Sequence, residues 1–189
     1  VFDFVYAVLF GIAATILGWG FIFCTRFLKK VFSKIPVPIY IKMFIGGILL
    51  GVISYYYPIT RYFSHYEINE LLLGDFTIQF LIAVLAFKIL AISITVTSGW
   101  RGGFIIPLFF AGAALGLVLH SVFPHINLSL TVISCMAAIN SCVTRTPMST
   151  TILLATLTGF DFFIPILFAS LTGYFLAPRI PFISAQMEK

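Results

Sequence analysis

Apolar positions along this chain come in long unbroken runs. Phe4 to Cys24 carries no charged residue and is long enough to cross a bilayer, which takes about 20 residues. Three further runs of spanning length follow, at Ile39 to Tyr57, Phe80 to Thr97 and Phe104 to Phe123. The pattern then changes. Leu128 to Cys142, Pro147 to Thr158 and Phe163 to Leu176 are apolar but too short to cross at right angles, and they are separated by Arg145-Thr146-Pro147 and Gly159-Phe160-Asp161. Short, interrupted helices are tolerated in a membrane where their ends face protein or a water-filled cavity. The pattern predicts an all-α integral membrane protein with tilted, partly broken transmembrane helices. Between Arg61 and Asp75 the sequence is mixed, with His65, Glu67 and Glu70 around a short apolar patch, and reads as an outer connection with a brief helix.

Composition agrees with this pattern: 61% of the 189 residues are hydrophobic, 9% are charged and the mean hydropathy is +1.13, far from the make-up of a soluble domain. The net charge of +5 does not indicate nucleic acid, because the basic residues are not interleaved along a polar face. They set topology instead. Arg26, Lys29, Lys30 and Lys34 follow the first run closely, which places that end in the cytoplasm by the positive-inside rule. The second run returns outward as the other arm of an inside-facing hairpin, with Lys42 near the inner interface and Tyr55, Tyr56 and Tyr57 at the outer one. Gly46, Gly47 and Gly51 in that run offer close helix packing. Cys24, Cys135 and Cys142 lack metal-ligand spacing and read as small core residues. The chain opens on Val1 without a signal-peptide pattern, and is expected to be a piece of a longer protein.

Candidate chemistry concentrates at Ser98-Gly99-Trp100-Arg101-Gly102-Gly103-Phe104-Ile105-Ile106-Pro107. A helix that begins inside the bilayer leaves its first N–H groups unpaired, and these together with the positive end of the helix dipole attract an anion without a formal charge. Glycines just before the first turn let the backbone approach that ion. Gly112 and Gly116 follow at helix-packing spacing. Lys88, near the centre of the third run, reads either as a cation of the pathway or as a lysine buried in a helix interface. Arg101 reads as a concentrator of anions or as an interfacial anchor, and His120 and His125 as interfacial residues or proton relays. No catalytic triad, metal cluster or phosphate loop is visible, so an enzyme has no support and no cofactor is expected.

The run Gly102-Gly103-Phe104-Ile105-Ile106-Pro107, followed by Ala113-Ala114-Leu115-Gly116, resembles the Gly-Gly-x-Phe-x-Pro motif and following helix of the CLC family of chloride channels and proton-coupled anion exchangers. Downstream, Ala137-Ala138 and then Thr144-Arg145-Thr146-Pro147-Met148-Ser149 resemble the family's Arg-Ala-Pro-Leu-Thr stretch, and Phe163-Ile164-Pro165 leads to the small residues Ala169 to Gly173. The resemblance covers essentially residues 1–189 and only the second half of a CLC subunit. It implies the second of two inverted repeats, helices J to R of the family, with Leu128 to Thr158 as O and P, Phe163 to Leu176 as Q and Ile180 to Gln186 as R.

The resemblance further implies transport of a small inorganic anion, chloride by default, with protons as a possible coupled partner. It also implies a homodimer using the short helices near Pro147 to Phe175, and completion by a first repeat that holds the gating residues. Its anion-binding groups fall here on Gly103, Phe104 and Ile105, through backbone N–H. Alignment of Pro181-Phe182-Ile183-Ser184-Ala185 with the family's Pro-Leu-Tyr-Ser-Ala puts Ile183 at the position of a hydrogen-bonding tyrosine, with Phe182 as the alternative register. Neither can donate, a loss of about 1 kcal/mol. Thr156 stands where many relatives carry glutamate, and no glycine occurs from Thr60 to Tyr66, where the family has Gly-x-Gly-Tyr.

Overall fold

The computed structural model describes residues 3–61, 65–74, 76–100, 102–180 and 182. Among these residues eight α-helices follow one another: α1 (Asp3–Lys34), α2 (Ile39–Tyr56), α3 (His65–Leu73), α4 (Ile78–Ser98), α5 (Ile105–Val122), α6 (Leu128–Thr144), α7 (Pro147–Thr158) and α8 (Phe163–Phe175), with 3₁₀ turns at Pro58–Thr60 and Phe160–Phe162. Among the described residues there is no strand. The helices α1, α2, α4 and α5 are long and apolar enough to span, whereas α6, α7 and the run Phe160–Phe175 are shorter, as the hydropathy pattern predicts. The first helix is longer than its apolar run. It continues through Arg26, Lys29 and Lys30 to Lys34, because a basic residue at a helix end can extend its charge to the interface without interrupting backbone bonding.

The centre of the fold is α6. Every residue from Leu130 to Val143 is buried, and α1, α5 and α8 pack around it. Small residues make this possible, since van der Waals packing rather than hydrophobicity drives helix association in lipid. A Cβ at Gly112 would lie 2.6 Å from Met136 Cα and one at Gly116 2.5 Å from Val132 Cα, while one at Gly173 would collide with the Ala138 carbonyl. Backbones at these three points are in contact. Two buried threonine hydroxyls of α1 are satisfied within or between helices: Thr15 Oγ1 donates to Gly11 O at 2.7 Å, and Thr25 Oγ1 lies 3.0 Å from Ser93 Oγ, tying α1 to α4.

The α1–α2 pair, expected as a hairpin, does not pack as one; α2 lies against α4. Of the three glycines in α2, a Cβ at Gly46 would collide with the Ser98 side chain and one at Gly47 would lie 3.8 Å from the Trp100 ring, but a Cβ at Gly51 would meet nothing within 4 Å. Among the described residues nothing packs against Gly51. Cys135 and Cys142 are buried, Cys24 is partly buried, and all three are free thiols, in keeping with their reading as small core residues.

Candidate functional site

The start of α5 is built by a break in the chain at mid-fold. Gly99 ends α4 in the left-handed region at φ 98°, the usual glycine stop. Trp100 Nε1 then donates to Met43 O at 3.0 Å, fixing the connection to α2. Arg101 lies outside the described residues. Gly102 and Gly103 are exposed, and a Cβ at Gly103 would meet no atom within 4 Å. Phe104 is the N-cap of α5 and makes no side-chain cap bond. Leu108 N is the first to bond back, to Phe104 O at 3.0 Å, and Pro107 has no N–H. The N–H groups of Phe104, Ile105 and Ile106 are thus left without an intrahelical acceptor, at a helix end worth about half a positive charge. Phe104 is partly buried and Ile105 is 38% exposed.

Two groups from elsewhere meet this helix start. The Phe182 ring stands edge-on to the Phe104 ring, centroids 5.2 Å apart, and packs at 5.1 Å on Phe21 of α1. The segment carrying it is held by Trp19 Nε1, which donates to Leu176 O at 2.8 Å, and by the Arg145 guanidinium, which donates to Pro178 O. Arg145 adopts φ 58° as the cap of α6, a left-handed conformation that costs a non-glycine residue roughly 1–2 kcal/mol. The second group is Asn140 of α6, 1% exposed, whose Nδ2 donates to Ile105 O at 3.0 Å.

Of the sequence-predicted site residues, the structure brings Gly103, Phe104 and Ile105 together, and Phe182 beside them; Ile183 lies outside the described residues. Sequence reasoning missed Asn140, although its signal was present as the one carboxamide within Leu128 to Cys142. Lys88 is not in this site. It is 2% exposed, donates through Nζ to Thr60 O at 2.9 Å and sits 5.0 Å over the Phe110 ring, contacts that fit the helix-interface reading. His125 meets Phe123 edge-on at 6.2 Å. His120 lines a cavity of about 390 Å³ with Leu72, Thr77 and Leu117 near the far end of α5. Among the described residues no group of three His, Cys, Asp or Glu side chains could hold a metal ion.

The sequence matches the family described as Voltage gated chloride channel over residues 1–178. The Uncharacterized protein MJ0305 of Methanocaldococcus jannaschii is 31% identical over 172 residues, which cover 91% of this chain and 43% of that protein. A Putative chloride channel protein ClcB-like of Ralstonia nicotianae is 27% identical over 157 residues, covering 79% and 36%. The fold is similar to the crystal structure of a CLC-type fluoride/proton antiporter, with a TM-score of 0.76 at 20% identity over 92% of this chain and 44% of that one. The chain spans less than half the length of these relatives. It is a multi-pass integral membrane protein of all-α fold, and with the family match running through nearly all of its length it belongs to the voltage-gated chloride channel, or CLC, family.

Proposed function

We propose that this chain is the second inverted repeat of a CLC-type anion transport protein and binds a small inorganic anion, chloride first, through the backbone N–H groups of Phe104 and Ile105. The observation that carries this reading is the uncapped start of α5, where three successive N–H groups face no intrahelical acceptor. Partial charges of this kind hold a partly dehydrated anion strongly enough to select it and weakly enough to release it. A lysine or arginine at the same point would hold it too tightly. Relatives named as a chloride channel-like protein and a fluoride/proton antiporter support transport of small anions, with protons as the candidate coupled ion.

In this reading a first repeat supplies the other half of the site, and Phe182 closes the α5 side by packing on Phe104. Dimerisation through α7 and α8 fits their exposed apolar side chains Met148, Ile152, Leu157, Ile164 and Phe168. The test is anion flux from liposomes holding the protein with both repeats, with the 189-residue chain measured in parallel. Chloride release that saturates with concentration supports the reading. Transport of an organic anion without any halide flux overturns it.

A further inference from the structure

Asn140 has a polar atom with no assigned task. Its Nδ2 is engaged at Ile105 O, but its Oδ1 is buried and has no hydrogen-bond partner among the described residues. A carboxamide oxygen left this way is costly, more so than the hydroxyls of Ser134, Ser141 and Ser170, which are also buried without a partner among the described residues, and a bound water is one donor that would satisfy it. The residue lies on α6, the most enclosed helix, and its amide is anchored at the first turn of α5. The Ile105 carbonyl belongs to the same peptide plane as the Ile106 N–H. A bond to that carbonyl therefore both fixes the direction of the neighbouring N–H and polarises it, since hydrogen bonds in chains strengthen one another.

We propose that Asn140 is a positioning and specificity-determining residue of the anion site: Nδ2 orients the Ile105–Ile106 peptide, and Oδ1 accepts a hydrogen bond from one water that the bound anion retains. This rests on the anion site proposed at the start of α5. An acceptor beside an anion repels it when bare and supports it when a water lies between them. The arrangement favours a compact, strongly hydrated anion such as chloride over a weakly hydrated one such as nitrate.

The experiment compares wild type with Asn140→Leu in reconstituted protein carrying both repeats, reading the half-saturating concentration and maximal rate for chloride and for nitrate. Loss of one hydrogen bond to the site is expected to raise half-saturation for chloride by roughly three- to tenfold, with a smaller change for nitrate, so that the preference for chloride falls. An equal shift for both anions, or none, overturns the proposal while leaving the anion site intact. A wild type that carries neither anion overturns the reading beneath it. If Asn140→Leu does not purify as a single species, Asn140→Ser, too short to reach Ile105 O, carries the same expectation.

Discussion

The helices α2 and α6 are nearly equal in length, 18 and 17 residues, and occupy opposite environments. In α2 only Gly46 and Ile53 are buried, and Tyr40, Phe44, Ile48, Val52 and Tyr55 are open to the surroundings. In α6 an unbroken stretch is enclosed, and it contains Thr131, Ser134, Asn140 and Ser141. The more apolar helix is outside and the more polar one is at the centre. In water this order would be reversed. In lipid, apolar side chains gain nothing by leaving the surroundings, whereas small ones gain close contacts by meeting other helices, and Asn140 gains a hydrogen bond across to α5. The central helix is also the one that reaches the candidate anion site, through Asn140.

The strongest way to break this contrast is to enlarge a residue facing α6. Gly173→Val drives a side chain into the Ala138 carbonyl, and overpacking of backbone against backbone should cost about 3 kcal/mol or more. Size-exclusion profiles in detergent should show loss of the monodisperse species. A normal profile would mean that α8 does not pack on α6 as described. Next in size is Lys88→Met, which removes the bond to Thr60 O and the contact over Phe110. A loss of about 2 kcal/mol is expected in denaturant unfolding, with half-saturation for chloride unchanged, because Lys88 holds a helix interface. A changed anion affinity would return Lys88 to the pathway.

Trp19→Phe should have a smaller effect. It removes the 2.8 Å bond to Leu176 O from a half-exposed indole, worth about 1 kcal/mol, and hydrogen exchange should quicken in residues 176–180 while α6 stays protected. Uniform quickening across both would contradict a local role. The smallest effect is expected at Gly51→Ala on the open face of α2. There the substitution should leave thermal stability unchanged or raise it by about 0.5–1 kcal/mol, since alanine loses less backbone freedom than glycine in a helix. Marked destabilisation would show that α2 has a partner on that face.

Much of this was legible in the residues. Long apolar runs mark the spans because the bilayer sets their length, and the short runs after Asn127 mark the broken helices. Gly112 and Gly116 announced a close contact through spacing alone. The partner of α2 was not legible, since hydropathy gives crossing segments without saying which neighbour each one meets. Gly51 illustrates the point: glycine spacing suggests a packing face, but only the fold shows whether a helix occupies it. Asn140 was hidden for a related reason. An amide inside an apolar run is visible, but its significance depends on Ile105 being its neighbour across 35 positions of sequence. Phe182 was named as one of two registers, and its contact with Phe104 becomes visible only when Trp19 and Arg145 hold the final segment in place.

The central claim is that an anion rests on the uncapped start of α5. Its most direct test is anomalous diffraction from crystals of the protein grown in bromide. The account predicts a bromide peak within hydrogen-bond distance of the Phe104 and Ile105 nitrogens, beside the Asn140 carboxamide. Bromide bound elsewhere in a protein that conducts it, with no density at this helix start, would contradict the account.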